Sequence, residues 1–466
     1  MNIAWEEHES RLNEGDMNHR SIKNVILWGL GQMAVELPND FTHRTNIFFM
    51  LLMMEQGVSF TTSMVSFCII VLIISILGSF VNFFLVCVSV RYAIKKQMIV
   101  CISAFVIILN IIALWSYHLA GFAILLFFLS FLPQAAIAMH GSQVPFISTT
   151  DLHQLADRIS ILMSWITHNA YIYVARIFPS WQYYQANTQA LANLTANPPK
   201  PTGTQYISTG ICVLAILLLI PYMFIEEHKN KPPISNLKYN MVYVFNELKT
   251  IVMDMIREKN FLLFIVCVIG VQYAQIYVSV LFTSIQIDIL HASSFEITLR
   301  ENIFFWVYFI VLIAVPPMLV KRGPKFLLMA LLFATMMACC YQMLSVHVPL
   351  LQYPASLMVG VINAATNVTI RRFIYENATY DTISMHYGVV TIISKIMSSI
   401  GILLSLIYSI QENADFYTRF YGVSFIFFIL AFVGMICGIF TRDHHTQYTL
   451  GLRPPYLKYE ILEEKD

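Results

Sequence analysis

The sequence predicts an all-α membrane protein of twelve transmembrane helices, arranged as two six-helix, pseudo-symmetric lobes. Three observations lead there. Of the 466 residues, 58% are hydrophobic and only 12% charged, about half the ~25% charged share of a soluble domain. Long apolar runs recur twelve times along the chain. Six fall on each side of 226–260, the longest and most charged connection.

The first 22 residues are polar and mixed in charge, with no short apolar core ahead of a small-residue cleavage site. No cleaved signal peptide is expected, and 1–22 reads as a tail. The first span, 24–54, joins two apolar runs, Val25–Leu30 and Ile47–Met54. Neither alone reaches the roughly 20 helical residues that a bilayer needs. Joined, they carry Glu36, Asp40 and Arg44 at i, i+4 and i+8, one stripe of a 3.6-residue helix. Charge in hydrocarbon is costly, so the stripe is expected to face other helices or a water-filled path. Two plainer readings stand beside it. Glu36 and Arg44 pair within the helix and fix its packing, or Pro38-Asn-Asp40 breaks the helix into two short pieces.

Spans 60–87, 98–116, 119–140, 159–178 and 205–225 complete an N-terminal lobe over 23–225. In the linker 226–260, Pro232-Pro233 precedes Leu237–Lys259, where apolar residues alternate with Lys and Glu at near-helical spacing. This is an amphipathic helix for the membrane face or the bundle, or a solvated linker helix. Spans 261–286, 302–320, 325–344, 349–370, 384–410 and 419–440 form a C-terminal lobe over 261–441, and 442–466 is a tail. The halves echo each other: spans 2 and 8 are each followed by a short basic turn, Arg91-Tyr-Ala-Ile-Lys-Lys and Lys321-Arg-Gly-Pro-Lys. Internal repetition of this kind belongs to two-lobed transporters that bind solute near midplane between the lobes.

Lys and Arg set the orientation. They cluster after spans 2, 8, 10 and 12 and between spans 6 and 7, all on one side. The positive-inside rule makes that side cytoplasmic and places both termini there. The 180–204 loop then lies outside with Asn193-Leu-Thr195, an N-glycosylation acceptor pattern. The net charge of +1 offers no basic surplus for phosphates, so no nucleic-acid partner is expected. Eight cysteines lack C-x-x-C or Cys/His ligand spacing, which argues against a metal site and a disulfide framework.

Inside the C-terminal spans, Lys395 is a lone ammonium in an apolar run. A carboxylate partner would keep it charged, and the available intramembrane acids are Glu36 and Asp40. Proton or solute binding that competes with such a pair would link loading to lobe movement. The plainer reading is that Lys395 snorkels to an interface or serves in fixed packing. Gln272, Tyr273, Gln275, Tyr277 and Gln286 give span 7 a polar stripe, and Asn363 and Asn367 do so in span 10. Amides and phenols suit hydroxyl-rich or amide-bearing solutes, or they join helices by hydrogen bonds. Trp28, Trp165 and Trp306 offer flat rings or interface anchors. His140 and His153 read as residues of the helix ends, and Asp443-His-His445 as a solvated tail.

Five stretches resemble the major facilitator superfamily, and within it the glycoside-pentoside-hexuronide cation symporters of the melibiose-permease type. They are Leu27-Trp-Gly-Leu-Gly with Glu36; Gln143-Val-Pro-Phe-Ile-Ser148 running into Asp157-Arg158; Arg257-Glu-Lys-Asn-Phe-Leu-Leu; Lys321-Arg-Gly-Pro-Lys325; and Tyr387-Gly-Val-Val-Thr391 through Lys395. The resemblance implies a sugar-binding role for Glu36 and a central-cavity role for Lys395. It also marks departures. Gln143 stands where the family has an acid, and Ser75–Phe83 lacks the acids that bind the coupling cation. No arginine is evident in the fifth helix, where His168 and Arg176 are near. Sodium coupling of the family kind is therefore not expected.

The expected function is secondary transport of a small polar organic solute, sugar-like by resemblance, by alternating access. Coupling to a proton or other cation, or uniport, is expected, with the lipid bilayer as surroundings, no cofactor and a monomeric state. The alternative readings are a transport-inactive, transporter-like regulator of a channel or partner, and a polytopic membrane transferase. A transferase would place an acid pair or a His/Asp constellation on a loop or cavity rim. Asp443-His-His445 is the only local candidate for that.

Overall fold

The computed structural model describes residues 22–37, 60–91, 94–115, 119–148, 152–176, 202–226, 241–272, 294–378, 382–410 and 416–445. The regular structure among them is helical throughout. Helix α1 covers 22–37. It is followed by α2 (Phe60–Arg91), α3 (Lys95–Trp115), α4 (Leu119–Gly141), the single turn α5 (Val144–Ile147), α6 (His153–Arg176) and α7 (Thr202–Tyr222). After the linker come α8 (Met241–Arg257), α9 (Lys259–Gly270), α10 (Ser294–Ser345), α11 (Gln352–Asn377), α12 (Ile383–Ile410) and α13 (Phe416–Phe440).

The apolar runs dictate these elements. With backbone groups satisfied inside each helix, an apolar chain can sit in lipid. Three stretches among the described residues are long and apolar enough to cross a membrane, Leu72–Val90, Lys95–Ala113 and Trp306–Ser345. The last is two spans. Gly323 leaves the helical region at φ 81° and splits α10 into two arms, and a positive φ is the conformation glycine supplies without steric cost. Outward-facing side chains stay apolar, as with Phe80, Ile124, Ile313 and Phe440, each more than 60% exposed. Interior positions hold a continuous apolar core in which Trp28, Tyr222, Tyr308 and Phe264 are fully buried. A smaller cluster, Ala34, Leu37, Ile107, Cys212, Ala215 and Leu219, fits α1 between α3 and α7.

Side-chain bonds bring several helix ends together at one end of the bundle. The Asn24 amide donates to the Glu226 carbonyl at 2.9 Å, and Lys96 Nζ donates to the Ile225 carbonyl at 2.9 Å. Lys95 Nζ donates to Ser384 Oγ at 2.7 Å. His386 Nε2 lies 3.8 Å from the Glu258 carboxylate. Lys325 donates to the carbonyls of Ile439 and Thr441 at 3.0 and 2.6 Å. This end, rich in Lys and Arg, is called the basic end. From it α1, α3, α9 and α12 all start. α2 packs on α12, α4 on α12 and α6 on α10, so these three N-terminal helices meet C-terminal ones along the seam between lobes.

Candidate functional site

Near the basic end the seam is closed by a buried charge cluster. Asp157 lies one turn into α6, and Arg371 and Arg372 lie near the end of α11. Arg371 Nη2 donates to Asp157 Oδ1 at 2.8 Å, and Arg372 Nε lies 3.1 Å from Oδ2. All three side chains are at most 5% exposed. Arg371 Nη1 also donates to Ser160 Oγ at 3.1 Å. Its guanidinium stands 5.1 Å from the Trp28 ring, a cation–π contact with α1.

Trp28 is anchored in turn. Its ring stacks on His140 with centroids 4.7 Å apart and planes 3° from parallel, and its Nε1 donates to the His140 carbonyl at 3.0 Å. Tyr222 spends its hydroxyl proton on Gln143 Oε1. At 3.3 Å from the Tyr222 oxygen, His140 Nδ1 is then the donor to it. Tyr375 of α11 donates to the Gly141 carbonyl at the end of α4. Gly141 also lets α12 approach: a Cβ there would lie 2.5 Å from Tyr387 Cζ. Across the same seam Cys87 Sγ meets Met385 Sδ at 3.1 Å; within the N-terminal lobe Lys95 sits 3.9 Å over the Phe146 ring.

A second polar layer lies further from the basic end. Glu36 accepts from Gln32 Nε2 at 2.7 Å and from Ser164 Oγ at 2.9 Å. Gln32 Nε2 also reaches the Ser160 carbonyl and Ser164 Oγ. From the other lobe, Gln272 Nε2 donates to Ser394 Oγ at 3.1 Å, beside Lys395, and to the Val268 carbonyl. At 1.5 Å per residue, Glu36, Gln272 and Ser394 lie roughly 17–21 Å along from their helix starts. That is between about half and two-thirds of a ~30 Å hydrocarbon core. Among the described residues, Gln32 Oε1 and Gln272 Oε1 are buried acceptors with no donor, and buried polar atoms ordinarily have partners.

Of the residues singled out from sequence, Glu36 and Gln272 therefore sit in this layer, and Lys395, half-buried on α12, adjoins it. Asn363 donates to the Tyr308 hydroxyl at 2.8 Å. Gln143 lies instead near the basic end, fully buried between Tyr222 and His140. His168 lies on α6. Asp40, Arg44, Tyr273 and Asn193 lie outside the described residues, and with them the Glu36–Asp40–Arg44 stripe and the proposed break at Pro38. Trp28, with no exposed surface, packs in the interior and anchors no interface.

The sequence reading did not join Asp157 to Arg371 and Arg372. Asp157-Arg158 follows span 4 and Arg371-Arg372 follows span 10, and pairing those stretches would have found the cluster. His445 was also read as solvated, whereas its ring is bonded to Glu376 and to the Val320 carbonyl.

The fold is that of the major facilitator superfamily. The proton:xylose symporter XylE aligns with a TM-score of 0.64 over 91% of this chain and 96% of its own, at 10% identity. The human organic anion transporter MFSD10 aligns with a TM-score of 0.59 over 88% of this chain and 99% of its own, at 11% identity. The nucleoside transporter NupG aligns with a TM-score of 0.57 over 90% and 99%, at 12% identity. Identities this low speak for the fold alone. No protein-family model matches the sequence, and no curated protein matches it.

Proposed function

We propose that the chain is a secondary transporter that moves a small polar organic solute across a membrane by alternating access. The observation that carries this reading is the Asp157–Arg371–Arg372 cluster, which joins the two lobes near one end of the bundle. A buried ion pair is a poor source of stability compared with apolar packing of the same volume. Its value here is reversibility: it shuts the seam strongly in one state and can be hydrated when the lobes part. We take the basic end as cytoplasmic, on the positive-inside rule, and the cluster as the inner gate.

The solute is held in the polar layer above that gate. Two unpartnered amide oxygens, one from each lobe, and the Glu36 carboxylate accept hydrogen bonds. A solute rich in hydroxyl or N–H donors meets them, which agrees with the sugar-like expectation from the melibiose-permease resemblance. Xylose and nucleosides, named for two of the structural neighbours, are of this chemistry. Glu36 and Lys395 are proposed as a coupling pair. Trp28 and Tyr387 both lie by the gate, next to Arg371 and Gly141 respectively. Glu36 follows Trp28, and Lys395 follows Tyr387, by two helical turns, about 12 Å. The two groups thus share a depth, and Glu36 is within electrostatic reach of Tyr387 on α12.

The test is thermal stabilisation of the purified protein against sugars, nucleosides and amino acids. A binder at one hundred times its Kd adds about 2.7 kcal/mol. Counterflow of that binder in proteoliposomes should follow. Binding without counterflow would point to the transport-inactive alternative, and no binder in any class would remove the reading.

A further inference from the structure

We infer that the segment after α13 is a proton-operated clasp that reinforces closure of the basic end, with His445 as its switch. Four hydrogen bonds tie the end of α13 and this short stretch to the rest of the bundle, and a fifth orders it from within. Lys325 donates to the carbonyls of Ile439 and Thr441. Asn260 and the Arg442 backbone bond each other in both directions, at 2.6 and 3.3 Å. The His445 backbone N–H donates to Asp443 Oδ1 at 2.9 Å. Gly323 makes the room, since a Cβ there would come within 2.8 Å of the His445 ring and 2.9 Å of the Asp443 carboxylate.

The ring itself is what makes this a switch. His445 Nδ1 lies 3.2 Å from both oxygens of Glu376, and Nε2 lies 3.0 Å from the Val320 carbonyl. A carboxylate and a carbonyl only accept. A neutral imidazole carries one N–H, so one ring nitrogen would point its lone pair at an oxygen. The imidazolium, with two N–H groups, satisfies both contacts. Glu376 is 1% exposed, and burying its charge without a partner would be costly.

Two charged groups among the described residues act on the ring. Glu376 faces it from α11 and Asp443 from its own segment, while α10 offers the Val320 carbonyl. Behind Glu376 stands Arg372, whose charge acts on both Glu376 and Asp157. When His445 loses its proton, Arg372 is the remaining countercharge for Glu376 among the described residues. It is drawn from Asp157, and the seam loosens. Acidification of that compartment therefore holds the basic end shut, and alkalinisation eases it open. The coupling rests on the gate reading of Asp157; the clasp itself does not.

Hydrogen–deuterium exchange of the full-length protein in detergent tests both, at pH 6 and pH 8.5 with exchange times scaled to intrinsic rates. Wild-type protection across 441–445 should fall by about tenfold or more at the higher pH, the factor that losing a hydrogen bond to a charged group produces. Protection of 152–160 and 369–376 should fall with it. His445→Gln should leave the tail unprotected at both pH values, and Glu376→Gln should abolish the pH dependence. Equal wild-type protection at both pH values, or a pH response kept by His445→Gln, overturns the clasp. A tail that loosens while 152–160 and 369–376 stay unchanged overturns its link to the gate and leaves the transporter reading untouched.

Discussion

Arg371 on α11 holds its guanidinium 2.8 Å from the Asp157 carboxylate on α6, and both side chains are at most 4% exposed. The two residues stand 214 positions apart, in different lobes, so their separation measures whether the lobes are closed at this end. Two arginines share this one acid, and that asymmetry makes the first prediction. Asp157→Asn leaves two buried guanidinium groups without their carboxylate and should cost ~3–5 kcal/mol, the penalty for breaking a buried pair. Arg371→Met leaves Asp157 with Arg372 and should cost less. Apparent melting temperatures of the two variants would check the order, and equal losses would refute it.

The second prediction concerns pH and stability. The Glu376 hydrogen bond, ahead of an opposing effect of burial, raises His445 above its ordinary value of 6.5. A group raised in the folded state contributes stability fully below its unfolded value and loses it as pH rises through the folded value. The melting temperature should therefore fall as pH climbs above about 6.5, and more steeply in wild type than in His445→Gln. Parallel pH profiles for the two proteins would show that His445 contributes nothing.

Residues at this end also show how much of the molecule could be read from sequence. Apolar runs marked the helices because lipid admits a backbone only when its hydrogen bonds are satisfied internally. The break between the two arms of α10 at Gly323 was visible as a basic Gly-Pro turn. Glu36 and Gln272 were conspicuous as polar groups inside those runs. Asp157, Arg371 and His445 looked ordinary because each lies at a helix end, where charge carries no penalty unless tertiary packing buries it. Their burial depends on lobe-to-lobe contact, and hydropathy along the chain carries no trace of that.

A third prediction addresses the polar layer. Gln32 donates to Glu36 and to Ser164, and Ser164 donates to Glu36, so the three bond one another. Ser164→Ala removes one of two described donors to the carboxylate and should cost about 1.5–3 kcal/mol, the range for a hydrogen bond to a charged group. Combining it with Glu36→Gln should cost less than the sum of the singles, because the interaction is lost only once. Additive losses in a double-mutant cycle of melting free energies would show that the contact carries no energy.

The final prediction uses the close approach of α4 and α12. Gly141 has no room for a side chain, since an added Cβ would meet Tyr387 Cζ at 2.5 Å and its hydroxyl at 2.8 Å. Tyr387 is itself buried and cannot swing into solvent. Overpacking a tight interior contact costs about 1–3 kcal/mol. Gly141→Ala should therefore destabilise the protein, and because the clash lies between lobes it should act by parting them. Protection of 152–160 against exchange should fall along with the melting temperature. Replacing Tyr387 by Leu trims the ring that causes the clash, so Gly141→Ala with Tyr387→Leu should recover part of the loss. If the double variant is no more stable than the sum of the two singles predicts, the contact does not set lobe closure.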